Sequence, residues 1–315
     1  MTKTDIIVSK LLKKWAETPE IDLSKLTVEV VRESDKNVQQ LQEPLEPVGN
    51  IEEYTVPTLD GEILMKIYIP KSCLNNNTNP VFIFFHGGGF VIDGESYESP
   101  IRKIANDAKC IICAVEYSLA PEYKFPRAVD ESISATQWIF ENVNLFGGDP
   151  NRIAIGGDSS GGNLATVVIL NNKERYSFKG LILIYPMLDA TCSQPSINQF
   201  GDGYGFTKEK IDWYFNQYLP PNANRTNINI SPFFAKEELL KYFPPTFIAT
   251  AECDPIRDEG EIFAQKLKKS GIDVRIKRYQ GMIHGFFQMS GVLNKGKTLI
   301  KDISKELSIY LSIKL

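Results

Sequence analysis

Histidine is nearly absent from this chain, with only His86 and His284 in 315 residues. So little imidazole leaves few general bases able to work near neutral pH, and any catalytic reading is narrowed from the outset. Cysteine is sparse too, five residues and therefore an odd number. With both histidines engaged in motifs of their own, no zinc-type ligand set forms, and no metal or other cofactor is expected. Cys110 and Cys113 have C-x-x-C spacing, but they sit in the apolar run Cys110-Ile111-Ile112-Cys113-Ala114-Val115. Residues three apart on a strand face opposite ways, so buried core thiols are expected rather than a redox pair.

An excess of charge is also missing. The net charge is -4, with lysine and arginine interspersed among the acids, which argues against a nucleic-acid partner. The longest apolar runs, residues 81–85 and 181–185, are strand-length and far short of the ~20 residues of a membrane helix, so no membrane span is expected. Residues 1–17 carry lysines, acids and apolar residues at helical spacing without an apolar stretch leading to a small-residue cleavage site. No signal peptide is expected, and the compartment is read as the cytoplasm. The sequon matches Asn76-Asn77-Thr78 and Asn224-Arg225-Thr226 then read as polar loops. There is no internal repeat, and no low-complexity tract beyond residues 75–79.

What the chain does contain is an alternation of strand and helix signals. A chain near this length buries roughly 75% of its unfolded surface, enough for one large domain with a small appendage. After an amphipathic helix over residues 5–17 and a polar stretch to about Asn50, strands at 51–58 and 63–69 read as a hairpin turning at Asp60-Gly61. Strands at 81–85, 110–115, 152–155, 180–185, 246–251 and 274–279 then alternate with helices at 99–108, 128–142, just after Ser159, 260–270 and 297–313. This is an α/β pattern, a mostly parallel sheet flanked by helices on both faces. The last helix sets Leu299, Ile300, Ile303, Leu307, Tyr310 and Leu311 on one face, which should pack on the sheet. Residues 1–50 and 186–242 stand outside the alternation, the latter with the turn Gly201-Asp202-Gly203-Tyr204-Gly205 and a helix-like run at 207–218. We expect 1–50 to be an N-terminal helical cap segment and 51–315 the catalytic domain, with 186–242 joining the cap as a lid.

Four motifs lie at successive strand ends. Gly157-Asp158-Ser159-Ser160-Gly161-Gly162 follows a strand and opens a helix, the setting of a nucleophile elbow; Gly157 and Gly161 remove side chains that would clash in so sharp a turn. Alone, the run also fits a glycine-rich helix start or a phosphate-binding loop, although it has no P-loop lysine. His86-Gly87-Gly88-Gly89 leaves a strand at the carboxyl edge of the sheet, where bare N–H groups of Gly88 and Gly89, with that of Ser160, could meet a substrate oxygen. Its plainer reading is a flexible turn, with His86 and Gly87 as motif support rather than a second base. Asp254, at the end of the strand at 246–251, reads either as a helix-start aspartate or as an orienting carboxylate. His284, in Gly281-Met282-Ile283-His284-Gly285-Phe286, is a satisfied loop histidine or the base for Ser159. The chain order Ser, Asp, His favours the catalytic readings together. Asp158 is expected to point away from Ser159 and to act as support. Glu116, Asp189 and Asp202 are weaker choices for the acid, and Met282 and Phe286 read as loop packing or pocket wall.

In these motifs, and in Glu116-Tyr117-Ser118-Leu119-Ala120-Pro121-Glu122 and Asp254 to Gly260, the chain resembles the hormone-sensitive-lipase-like family of carboxylesterases, also called bacterial family IV. The resemblance spans residues 60–290. It implies an α/β-hydrolase fold with an eight-stranded sheet, a helical cap, and a triad of Ser159, Asp254 and His284 beside an oxyanion hole of Gly88, Gly89 and Ser160. The expected activity is hydrolysis of small short- to medium-chain carboxylic esters through an acyl-enzyme. An amide or carbamate hydrolase with the same triad, and a non-catalytic small-molecule receptor, are the alternatives; a homodimer is left open. Two positions depart from the family pattern. Ser118 replaces an arginine, putting local packing in doubt, and Ser160 replaces an alanine, which should matter little because its N–H is what acts.

Overall fold

The computed structural model describes residues 4–17, 26–172 and 175–312. Its centre is an eight-stranded sheet in the order β1-β2-β4-β3-β5-β6-β7-β8. The strands are β1 (Asn50–Thr58), β2 (Gly61–Ile69), β3 (Asn79–Phe85), β4 (Ile111–Glu116), β5 (Gly148–Asp158), β6 (Leu181–Ile184), β7 (Thr246–Cys253) and β8 (Val274–Ile283). Only β2 runs against its neighbours, pairing antiparallel with both β1 and β4. The other pairs are parallel.

The central strands are apolar on both faces because both faces are covered. Val81, Ile83 and Phe85 of β3 join one core with α4 (Arg127–Asn142), α5 (Ser160–Asn172) and α9 (Arg257–Lys269). Phe82 and Phe84 face the other way, toward α3 (Glu98–Ala108) and α10 (Asn294–Tyr310). Cys110 and Cys113 fall on opposite sides of the sheet, and all five cysteines are free thiols. The apolar stripe of α10 packs on the sheet as expected, with Leu299, Ile300, Ile303 and Leu307 fully buried. Residue 313, the expected end of that helix, lies outside the described residues.

Several boundaries differ from expectation. Thr58 pairs with Gly61, so the hairpin turns on Leu59 and Asp60 while Gly61, with φ +134°, opens β2. Strand β5 starts earlier, where Gly148 pairs with Asn79, and β8 runs on to Ile283, which pairs with Cys253 past an irregularity. His284 therefore follows a strand end directly.

Residues of both segments outside the alternation reach the carboxyl edge, Asp35 from the first and Phe206 and Tyr214 from the second lying beside Gly88, Gly89 and Ser159. The first carries α1 (Ile6–Ala16) and α2 (Val28–Asp35), and the second α6 (Pro195–Phe200), α7 (Lys208–Tyr218) and α8 (Glu237–Leu240). They touch each other: the Trp213 indole donates to the Leu26 carbonyl at 3.2 Å, and Gly205 lies against the rings and methyls of Trp15 and Leu12. No helix among the described residues is long and apolar enough to cross a membrane.

Candidate active site

Ser159 stands between the end of β5 and the start of α5 with φ +50°, a left-handed conformation that a side chain adopts only when the surroundings enforce it. The enforcement is visible. Its N–H donates to the Ile184 carbonyl at 2.9 Å, and its own carbonyl accepts from Met187 N–H at 3.0 Å. The flanking glycines are needed for close approach, since a Cβ on Gly161 would lie 2.0 Å from the Phe85 carbonyl oxygen and one on Gly157 2.3 Å from the same atom.

His284 faces this hydroxyl. Its Nε2 is 3.0 Å from Ser159 Oγ, and its Nδ1 is 2.8 Å from Asp254 Oδ2. A fully buried carboxylate can only accept, so it holds the Nδ1–H tautomer and leaves Nε2 free to accept the serine proton. The other oxygen of Asp254 accepts from Ile256 N–H at 2.9 Å, which locks the carboxylate at the head of α9. The Tyr185 ring lies 4.6 Å from the imidazole and the Phe206 ring 4.3 Å.

The loop after β3 reaches the same point. Gly88 and Gly89 have φ +106° and +60°, and neither N–H donates to a protein group among the described residues. Ser160 is the first residue of α5, so its N–H has no intrahelical partner. The loop is held from behind. Asp158 turns away from the serine as expected, accepting from Gly87 N–H and the Tyr97 hydroxyl, each at 2.8 Å. Burial pushes its carboxyl up to about 7, against the lowering effect of the Tyr97 bond. His86 stacks on Tyr117 with centroids 4.3 Å apart, and its Nδ1–H meets the Gly87 carbonyl at 2.7 Å, so it braces the loop and does not approach Ser159.

The weaker acids are elsewhere. Glu116 lies 3.9 Å from His86, the Asp189 oxygens accept from Thr191, Ser193 and Gln194, and Asp202 is exposed. Met282 and Phe286 are buried in the core behind His284, as loop packing rather than pocket wall.

Some features were not read from the sequence. The Ser160 hydroxyl accepts from Phe90 N–H at 3.3 Å, so the residue expected to matter little ties the glycine loop to the elbow. Ser118, lacking the family's arginine, donates N–H and hydroxyl to buried Glu131, whose charge is met instead by Arg127 Nε at 2.6 Å. Phe206, Tyr214 and Asp35 line the cavity above Ser159. They come from the covering segments, and no local signal marked them. The cavity measures about 120 Å³.

Residues 82–288 match a protein family described as alpha/beta hydrolase fold. The chain is 34% identical over 274 residues to a carboxylesterase of Mycobacterium tuberculosis, covering 84% of each chain. It is 30% identical over 250 residues to an ethyl acetate hydrolase of Pseudomonas putida, covering 78% of each. Among solved structures, a hyperthermophilic esterase from the archaeon Pyrobaculum calidifontis superposes with a TM-score of 0.91 at 32% identity, over 98% of this chain and 99% of that one.

Proposed function

The chain belongs to the alpha/beta hydrolase fold family, in its hormone-sensitive-lipase-like branch, and we propose that it cleaves carboxylic esters with Ser159 as nucleophile, His284 as base and Asp254 as orienting acid. The observation that carries this reading is the continuous relay from Ser159 Oγ to His284 Nε2 and from Nδ1 to Asp254, at 3.0 and 2.8 Å. His284 takes the serine proton as Oγ adds to the ester carbonyl. The N–H groups of Gly88, Gly89 and Ser160 receive the oxyanion, each donor of this kind being worth about 2.7–4 kcal/mol in the transition state. The imidazolium then protonates the leaving alcohol. Water, deprotonated by the same His284, releases the acid from the acyl-enzyme.

A cavity of about 120 Å³ over Ser159, lined by Phe206 and Tyr214, favours small esters. We read residues 1–50 with 186–242 as a lid, on the strength of the Trp213 to Leu26 bond and the Phe206 ring over His284. Five free thiols support a reducing, cytoplasmic setting.

The test is direct. Purified protein should hydrolyse nitrophenyl acetate and butyrate, with rates falling along a longer-chain series, and a serine-directed phosphonate should add its mass at Ser159. Labelling elsewhere, or turnover surviving Ser159→Ala, would remove the assigned nucleophile. A matched anilide cleaved as fast as the ester would shift the reading to an amidase.

A further inference from the structure

The cavity above Ser159 holds an acidic side chain that the relay does not use. Asp35, the last residue of α2, lines it together with Gly88, Gly89, Tyr97, Phe206 and Tyr214. Its position is built rather than incidental. Three residues earlier on the same face of α2, Arg32 donates Nε–H to the Val91 carbonyl at 2.9 Å and Nη2–H to the Ala120 carbonyl at 3.1 Å. The same guanidinium grips Glu122 in a two-pronged pair at 2.7 and 2.8 Å. The end of α2 is thus fixed against the loop that carries Gly88 and Gly89, and Asp35 is delivered to the cavity wall.

Among the described residues no cation is paired with this carboxylate. Among the described residues no lysine or arginine lines the cavity, and the charge acting on Asp35 is another carboxylate, Asp93. Burial pushes its carboxyl up to about 6, with the Ser96 hydroxyl as a counteracting donor. It is close enough to Tyr214 that, after burial, its charge is what pushes that phenol up. A carboxylate partly withdrawn from water without a counter-charge gains from a ligand that brings one. Tyr97 and Tyr214 line the same cavity, and an aromatic lining favours the same kind of ligand.

We propose that Asp35 is a specificity residue that selects esters bearing an ammonium group, held between the carboxylate and the rings of Tyr97 and Tyr214. The inference rests on the ester-hydrolase reading above and adds the charge class of the substrate. Uncharged esters of the same shape lack the ion pair, and esters bearing a carboxylate meet repulsion.

The experiment compares 2-(trimethylammonio)ethyl acetate with its uncharged isostere 3,3-dimethylbutyl acetate, on wild type and Asp35→Asn, by pH-stat at neutral pH and low salt. The quantity read is the ratio of kcat/KM for the charged over the uncharged ester. Comparing that ratio between proteins cancels both the intrinsic reactivity of the esters and any general loss in the variant. The ratio should fall about tenfold or more in Asp35→Asn, mostly through KM of the charged ester. Asp35→Glu, which keeps the charge, should retain most of the preference and serves where the amide variant folds poorly. A ratio unchanged by Asp35→Asn overturns the inference. So does a wild type that ignores the charged ester while turning over nitrophenyl acetate, and in both cases the esterase reading stands. A wild type inert toward all three esters removes that reading, and this inference with it.

Discussion

The ring of Phe206 lies on the imidazole of His284, centroids 4.3 Å apart and 19° from parallel. Phe206 belongs to the segment after β6, just ahead of α7, so a side chain of the covering layer touches the proposed base directly. Stacking of this kind is worth about 0.5–1.5 kcal/mol beyond the area it buries, and here it restrains the ring that must meet both Ser159 and Asp254. For Phe206→Ala we expect kcat to fall by roughly two- to tenfold, with Phe206→Tyr close to wild type. Steady-state kinetics with nitrophenyl butyrate, alongside circular dichroism to show an intact fold, decides it. Unchanged kcat in the alanine variant would mean the ring only covers the site.

Ser160 gives a second case, because its side chain is engaged as well as its backbone. The hydroxyl is completely buried and accepts from Phe90 N–H, one residue beyond Gly89. Removing it strands a buried N–H, which costs about 1–3 kcal/mol. Ser160→Ala, although it restores the family's usual residue, should therefore lower the unfolding free energy by that order and reduce kcat more than it changes KM, since the loop carrying Gly88 and Gly89 loses a tether. Urea unfolding and kinetics on the same preparation test both parts. A variant as stable and as active as wild type would show that the loop holds without this bond.

The contrast between what could and could not be read in the sequence follows the range of the interactions. Ser159, Asp254 and His284 were legible because each sits in a short motif whose glycines and strand ends carry local meaning. Ser159 takes its left-handed φ between Gly157 and Gly161, where a Cβ would meet the Phe85 carbonyl, the clash that those two glycines were expected to avoid. The strand lengths were less legible. Gly281 looked like the start of a loop, yet β8 continues through it because Cys253 offers Ile283 a partner. Asp60-Gly61 looked like the turn itself, but the register assigns Gly61 to β2. Phe206, Tyr214 and Asp35 were invisible for a different reason. They reach the cavity from segments far off in the chain, and only the packing of α2 and α7 over the sheet brings them there.

Asp158 makes a pH dependence of stability accessible. Its carboxyl is raised from the ordinary 3.8 to about 7 by burial, so between those values the native state holds a proton that the unfolded chain has released. The stabilisation is fully present below the unfolded value and is lost as pH rises through the folded one, a change on the order of a few kcal/mol. Asp158→Asn removes the titration while leaving an amide to meet Gly87 N–H and the Tyr97 hydroxyl. The unfolding free energy of wild type minus that of the variant should therefore fall steadily from about pH 4 to pH 7. Denaturant titrations across that range measure the difference. A difference that is flat, or that rises with pH, contradicts a native carboxyl held protonated.

The last case concerns the position where an arginine is missing. Glu131 is buried on α4, and Ser118 supplies it with two hydrogen bonds of 2.7 Å but no charge. The charge arrives from one helical turn earlier, where Arg127 Nε pairs with Glu131 at 2.6 Å while Nη1 reaches Asp60 at 3.0 Å. In this chain, then, the guanidinium that meets Glu131 comes from residue 127 and not from residue 118. Taking away one partner of a fully buried pair costs about 3–5 kcal/mol because the other charge is left behind; here Glu131 is buried but Arg127 is partly exposed, so Arg127→Met should be destabilised by less than that. Ser118→Ala, which leaves the pair intact, should lose nearer 1 kcal/mol. If the two arginines are interchangeable, Ser118→Arg added to Arg127→Met should restore part of the lost stability, whereas alone it places two cations against one carboxylate and should not stabilise. Chemical denaturation of the wild type and the four variants tests this. Failure of the added arginine to rescue would show that Arg127 acts through Asp60 and the hairpin turn rather than through Glu131.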